Sequence, residues 1–359
     1  MSILTRYLTK EFTQNFFLGL GAFGATYLIV EFFERINAFL HNQAPLPMMA
    51  AYFLHKIPLI LFQVAPAAIL LATLITLGLM SRHNEIMAMK SGGISLWRIA
   101  SPILGVAMVI YFVLLGMSEF LVPPSNQKAR IIRGLIIDKK MPVATFKQNQ
   151  VWIHSHQAIY NINLYHPERD ILEGITIYQF DSNFQLIQRV DARSARWKEG
   201  HWVFSEASLT RFAPEGFPVR KKYPELIVSL PETPADFRVV EKDPDEMNYR
   251  ELRDYVRKIE RDGYDAGKYR CAMHGKMSFP FIGVIMAFLG IPLALRKEKG
   301  AGIALGVGLS ILISFFYWVA FSFSLSLGKA GALPPFLSAW LGNFIFALVG
   351  VHFFLSVRH

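Results

Sequence analysis

The chain has 359 residues, 53% of them hydrophobic and 18% charged, with a mean hydropathy of +0.32. That balance, with 30 Phe needing a very large core or lipid, argues against a disordered protein and against an ordinary soluble enzyme. A single Cys, Cys271, excludes a disulfide framework and a multi-Cys zinc site, and a net charge of +10 fits nucleic acid, anionic lipid or an anionic substrate, depending on where it sits.

In chain order, the opening "MSILTRYLTKEF" alternates Leu and aromatic residues with Arg6 and Lys10 and reads as a short interfacial helix. It feeds a long apolar stretch from Phe12 to about Leu40, too long for a signal-peptide core and without a small-residue cleavage site after it. Glu31, Glu34 and Arg35 fall at its far end. Glu31 and Arg35 are i,i+4 neighbours and can pair. The three form either a charged interfacial collar or the polar rim of a cavity, because an ion in lipid is costly and usually faces a cavity or a partner. A second stretch runs from about Ile57 to Met80 and a third from about Ile99 to Val122, with Glu119 near its end. Between them, "SRHNEIMAMKSGGIS" (Ser81 to Ser95) is long for a turn. As a helix it puts Ile86 and Met89 on one face, Gly92 and Gly93 stop it, and Glu85 is a lone acid on a basic surface. Such a helix is either a plain interfacial element or a plug by which a permease engages a motor subunit.

Arg130 and Arg133 follow, as solvated charges or contacts for acidic head groups. The middle of the chain has no apolar run of spanning length and reads as β. The segments Val151 to His154, Ala158 to Tyr165, Gly174 to Asp181, Phe184 to Trp197 and His201 to Phe212 are rich in β-branched and aromatic residues, with turn signals between them. They predict an antiparallel sandwich or jellyroll. A Pro-rich stretch from Pro214 to Pro244 precedes a helix from Asn248, with Gly263 as its cap. Three more apolar stretches close the chain: about Met277 to Leu295, Ile303 to Leu327 and Phe336 to Leu355. Lys276 stands at the start of the first and, like Glu119, belongs either to a charged interfacial collar or to the polar rim of a substrate cavity or gate. Gly283, Ala287 and Gly290 in it, and Gly302, Gly306 and Gly308 in the next, are small residues that permit close helix packing. Phe315 to Phe321, "FFYWVAF", is a bulky stripe suited to acyl chains, with Phe316 and Phe321 as candidates to line a substrate cavity.

Each apolar stretch is near or above the roughly 20 residues a helix needs to cross a bilayer. The fold class is therefore an α-helical membrane protein of six spans with an inserted all-β, jellyroll-like domain. Its parts are residues 1–122 (spans one to three, with the loop helix at 81–92), 123–246 (the β domain), 247–270 (a connecting helix) and 271–359 (spans four to six). Placing the N-terminus in the cytoplasm puts Arg6, Lys10, Arg82, Lys90, Arg98, Arg296, Lys297, Lys299 and Arg358 inside. Both termini are then cytoplasmic and the β domain is outside, in the periplasm of a bacterium. Residues 123–270 hold 24 basic and 21 acidic residues, so most of the positive excess belongs to the membrane part. No basic stripe marks a soluble face, and no nucleic-acid partner is expected.

Chemistry of its own is not expected of the chain. "GYDAGK" (Gly263 to Lys268) has too few residues between its glycines for a phosphate loop, and Tyr269 stands where Ser or Thr must hold Mg²⁺. Neither G-x-S-x-G nor H-E-x-x-H occurs. His154, His156, His166 and His201 have no carboxylate at a metal-site spacing. The expectation is no catalytic residue, no metal and no bound cofactor.

Four segments together carry a resemblance: "RYLTKEF", "APAAILLATLITLGLMSRHNEIMAMKSGGIS" (Ala65 to Ser95), "GITIYQFD" and "RDGYDAGKYRCAMHGKMSFP" (Arg261 to Pro280). Over essentially its full length the chain resembles the LptF/LptG lipopolysaccharide export permeases, and "DAGKY" (Asp265 to Tyr269) looks more like the LptG branch. The resemblance implies six spans and a periplasmic β-jellyroll. It implies an LptF-type second permease and a dimer of the LptB-type ATPase, which hydrolyses the ATP. It also implies passage of lipopolysaccharide through the jellyrolls of LptC and LptA toward the outer membrane. The family's coupling helix matches Ser81 to Gly92 and its acid matches Glu85. Its lateral gates match spans one and five, where Arg35 is the candidate basic contact. The alternative from another class is a membrane-anchored periplasmic scaffold that binds β-jellyroll partners without moving substrate.

Overall fold

The computed structural model describes residues 3–138, 144–147, 150–154, 158–166, 171–181, 185–198, 200–212, 217–228, 243–261, 265–295 and 303–356. The helices are α1 (Ile3–His41), α2 (Leu46–Arg82), α3 (Glu85–Ser91), α4 (Leu96–Gly116), α5 (Val122–Arg133), α6 (Tyr249–Arg261), α7 (Gly267–Leu295), α8 (Ile303–Lys329) and α9 (Pro335–Ser356). Seven strands lie between α5 and α6: β1 (Ala144–Lys147), β2 (Gln150–His154), β3 (Ala158–His166), β4 (Ile171–Phe180), β5 (Leu186–Lys198), β6 (His201–Arg211) and β7 (Val219–Val228). Two compact units result, residues 1–136 with 244–359, and residues 137–243. The first holds six helical segments of 22 to 41 residues that are long and apolar enough to cross a membrane. Gly263, the expected cap of α6, and Gly302 and His156 lie outside the described residues, as do the side chains of His154 and His166.

The third span does not stop at Val122. A π-helical turn, Met117–Leu121, joins α4 to α5, and the helix runs on past Arg133 into a second π-helical turn that starts at Gly134. Pro123 and Pro124 read as a terminator in the sequence. They occupy the first turn after the π turn, where their missing N–H donors have no obligatory partner. Pro58, Pro66, Pro102, Pro280 and Pro292 likewise sit inside spanning helices, a placement that membrane helices tolerate.

One core gathers Leu8, Phe12, Ala68, Ile69, Leu77, Ile99, Ile103 and Ile291 from α1, α2, α4 and α7. A second gathers Leu70, Ile282, Met286, Tyr317 and Phe321 from α2, α7 and α8. Three hydrogen bonds pair buried or half-buried polar groups across helices. Tyr317 Oη donates to Asn343 Oδ1 at 3.0 Å, Asn343 Nδ2 donates to the Ser278 carbonyl at 2.7 Å, and Asn15 Nδ2 donates to Thr76 Oγ1 at 2.9 Å. The small residues of α7 permit close approach to α2: a Cβ added at Gly290 would lie 2.9 Å from Thr73 Cγ2, and one at Gly283 would lie 2.7 Å from Ile69 Cδ1. On α8 the space differs, since a Cβ at Gly308 meets nothing within 4 Å. Gly290→Val is therefore expected to destabilise the membrane unit by about 1–3 kcal/mol through overpacking, while Gly308→Val leaves it within about 0.5 kcal/mol. Thermal unfolding of the detergent-solubilised variants checks this, and equal losses at both positions contradict it.

Helix α6 starts with a reciprocal cap. Glu251 N–H donates to Asn248 Oδ1 at 2.8 Å, and Asn248 N–H donates to Glu251 Oε2 at 3.2 Å. Glu119, from the π turn, accepts Tyr249 N–H at 2.7 Å and lies 3.8 Å from Arg250 Nε. A carboxylate at a helix N-terminus is favoured by the exposed N–H donors there.

The inserted domain is one antiparallel sheet in the sequential order β1-β2-β3-β4-β5-β6-β7. Sheet neighbours are consecutive in sequence, which makes a meander rather than Greek-key exchanges among the described strands. The expected strands are β2 to β6, and β1 and β7 extend the sheet beyond them at its two edges. β7 contains Pro224, which a sheet tolerates at an edge, where half of the N–H groups face away from the ladder. The ladder skips Asn163, Gly174, Arg193, Glu206 and Pro224, one in each of β3 to β7 and all at one level. A crease thus crosses the sheet, with positive φ at Gly174 (57°) and Glu206 (53°). At the crease the buried apolar pattern steps by three instead of two: Leu172 to Ile175 in β4, Ala192 to Ala195 in β5 and Phe204 to Ala207 in β6. The step keeps both halves of each strand facing the same apolar core, which holds Tyr160, Ile162, Ile177, Val190, Trp202 and Phe204. This core is what the predicted jellyroll-like character amounts to here.

Candidate functional site

Three places in the membrane unit hold the candidate residues. The first is the C-terminal part of α1. Glu31 is 7% exposed and faces α2. Its Oε1 accepts a 2.9 Å hydrogen bond from Tyr52 Oη and lies 3.5 Å from Arg35 Nε and 3.9 Å from Lys56 Nζ. Tyr52 is walled by Phe39 and Phe53, with ring centroids 5.1 and 5.2 Å away, and Lys56 Nζ sits 5.9 Å from the Tyr52 ring centre. One carboxylate thus holds two cations, a net +1, with part of each cation reaching the surface. Glu34 lies on the exposed side of α1, outside this cluster. The Glu31–Arg35 pair follows from i,i+4 spacing, but Tyr52 and Lys56 come from the next helix. In the sequence, Lys56 is a cation at the edge of the second apolar stretch, and nothing in the spacing of α1 points to it.

The second place is α3. The α2 helix ends at Arg82, and Asn84, in the left-handed region (φ 60°), turns the chain. Gly92 and Gly93 (φ 78°) end α3 as expected. Ile86, 5% exposed, packs into the core with Leu8, Leu96 and Ile99, and Met89 packs against the same cluster. The predicted apolar face is therefore the anchor that fixes α3 to its own spans. The outward side carries Met87, 53% exposed, which the sequence reading passed over. Glu85 is at the surface, where Oε2 accepts a 3.2 Å hydrogen bond from Tyr7 Oη and Oε1 lies 3.9 Å from His83 Nδ1.

The third place is the apolar exterior of α8. Leu312, Phe316, Val319 and Phe323 are exposed, while Tyr317 and Phe321 are buried and stack at 5.8 Å between centroids. Phe316 and Phe321 thus fall on opposite sides of the helix. Phe321 belongs to the core with Phe279, and Phe316 belongs to the surface offered to lipid or partner. Lys276 is half-buried on α7. Arg130 Nε contacts Glu246 Oε1 at 2.9 Å and so ties α5 to the segment before α6. Arg133 is exposed. Among the described residues no group of three or more His, Cys, Asp or Glu is arranged to hold a metal ion.

These features sit in a chain whose residues 6–356 match the family described as lipopolysaccharide export system permease LptF/LptG. The lipopolysaccharide export system permease protein LptG of Escherichia coli (strain K12) is 23% identical over 297 residues, covering 80% of each chain. LptG of Haemophilus influenzae (strain ATCC 51907 / DSM 11121 / KW20 / Rd) is 22% identical over 291 residues, again 80% of each. With the match covering nearly every residue, and with six apolar helices interrupted by one antiparallel sheet, the chain belongs to the LptF/LptG family of lipopolysaccharide export permeases.

Proposed function

We propose that this export permease is an LptG-type subunit that takes lipopolysaccharide from the inner membrane and passes it into its own β domain, powered by ATP hydrolysis on a separate ATPase. It works beside an LptF-type permease and two copies of an LptB-type ATPase, and hands the lipid to LptC and LptA. The termini and α3 face the cytoplasm and the β domain faces the periplasm. The chain binds no cofactor of its own, and its work is mechanical. The observation that carries the reading is the family match over residues 6–356. The distribution of side chains supports it: α1 and α8 offer large exposed apolar faces, and the Arg35 and Lys56 cations at the far end of α1 suit the phosphates of an anionic lipid. Glu85, Met87 and the fixed helix α3 suit a rigid contact that carries ATPase closure into the spans.

A photo-crosslinking residue at position 316, in vesicles containing lipopolysaccharide, tests this. Capture of lipopolysaccharide that falls when ATP is supplied, together with copurification of an ATPase and a second permease, is the expected result. A scaffold that binds β partners without moving lipid gives no lipid adduct at this position, with or without ATP.

A further inference from the structure

Two cavities on α1 have no part in the reading above. The first, about 830 Å³, is a groove between α1 and α4 floored by Leu61 and Ala65 of α2. On α1 it runs from Thr5 to Leu20, and on the facing helix from Ser101 of α4 to Met117 of the π turn. At 1.5 Å per residue that is about 22 Å, the depth of one bilayer leaflet with its head-group layer. Its walls are apolar along most of their length, while Thr5, Thr9, Thr13 and Ser101 put hydroxyl-bearing residues at one end. The second cavity, about 340 Å³, adjoins that end and shares Thr9 and Thr13 with the first, and its other lining residues are Arg6, Lys10 and Gln14. Arg6 and Lys10 are successive i,i+4 positions, both exposed, and among the described residues neither makes an ion pair. Arg98 stands one turn before Ser101 on α4, adding a third cation at that level.

We infer that this composite site binds an anionic phospholipid. The phosphate group sits at Arg6 and Lys10, with the Thr9 and Thr13 hydroxyls beside it, and one acyl chain runs down the groove between α1 and α4. Charge and shape agree on this occupant. A cationic mouth opens into an apolar channel of leaflet depth, whereas a spanning helix from another protein would bring an apolar or basic terminus to the same cations. The bound lipid would fill the gap between two spans that touch each other less than α1 touches α2 or α4 touches α7. The inference needs only that the helices lie in a membrane, and it stands or falls apart from lipopolysaccharide export.

The test uses the full chain, purified with its copurifying partners and placed in nanodiscs of phosphatidylethanolamine containing a minor fraction of phosphatidylglycerol with a photoreactive acyl chain. The label is expected on peptides of α1 and α4, displaced by unlabelled phosphatidylglycerol and not by inorganic phosphate. Each basic side chain at a membrane surface changes anionic-lipid binding by about fivefold, so Arg6→Ala with Lys10→Ala is expected to lower labelling about 30-fold. Gly105→Leu blocks the groove without crowding the fold, since a Cβ there meets nothing within 4 Å. It should abolish labelling while the unfolding temperature stays unchanged. Undiminished labelling in the double variant, displacement by inorganic phosphate alone, or capture of a polypeptide by a crosslinker at position 109 overturns the inference. The last outcome assigns the groove to a partner helix.

Discussion

Replacing Glu85 by lysine is expected to disconnect this permease from the ATPase proposed to drive it. The side chain is held at the surface by Tyr7 through Oε2, and Oε1, 3.9 Å from the exposed His83 ring, stands at the same surface to meet a partner. Helix α3 is held against tilting, because Ile86 is buried in the core and Met89 packs against it. Reversing a charge in a desolvated contact costs about 2–5 kcal/mol, a fall in affinity of about 30-fold to several thousand-fold. Copurified ATPase should drop accordingly, and ATP-driven lipopolysaccharide release from vesicles should stop. Glu85→Ala should show the same defect more weakly. Tyr7→Phe, which removes only the internal hydrogen bond, should leave coupling within a few-fold of normal. Full release by the lysine variant, with ATPase still bound, would remove α3 from the coupling path.

Glu31→Leu should be the most destabilising single change at the far end of α1. It leaves Arg35 and Lys56 half-buried without their shared counter-ion and leaves the Tyr52 hydroxyl without its acceptor. Stranding buried charge in this way costs about 3–5 kcal/mol. Glu31→Gln keeps an acceptor for Tyr52 and should lose less. Adding Lys56→Leu to Glu31→Leu removes one of the stranded cations and should recover part of the loss, a coupling that a double-mutant cycle measures. Thermal unfolding in detergent reads the wild type, Glu31→Gln, Glu31→Leu, Lys56→Leu and the double variant. If Glu31→Leu unfolds at the wild-type temperature, the cluster is not what fixes α1 to α2.

The six spans were legible because lipid imposes a length and a composition that few other environments demand. The extension of the third helix to Arg133 was not, since Pro123–Pro124 reads as a stop until the π turn before it is known. In the β domain, β2 to β6 follow from alternation and turn residues. β7 was hidden by Arg220, Lys221, Lys222 and Pro224, a composition that suits a solvent-facing edge as well as a linker. The Glu31–Arg35 pair was readable from local spacing, whereas its link to Tyr52 and Lys56 depends on how α1 lies on α2, which spacing within one helix does not encode. For α3 the spacing gave the apolar face correctly but not its direction. A face of Ile86 and Met89 fits a foreign groove as well as its own core, and burial against Leu8 and Ile99 decides for the core.

The crease through Gly174, Arg193 and Glu206 has a consequence for how the β domain finds its alignment. In a uniformly alternating strand, sliding by two residues against a neighbour restores the same side-chain faces and leaves a plausible decoy. Here each of β4, β5 and β6 carries its three-residue step at one fixed point, so a slip of one turns both arms inside out and a slip of two moves the step off the common line. Every small displacement therefore exposes large side chains at about 1.5–3 kcal/mol apiece. The fold line acts as a notch that admits a single alignment of the strands.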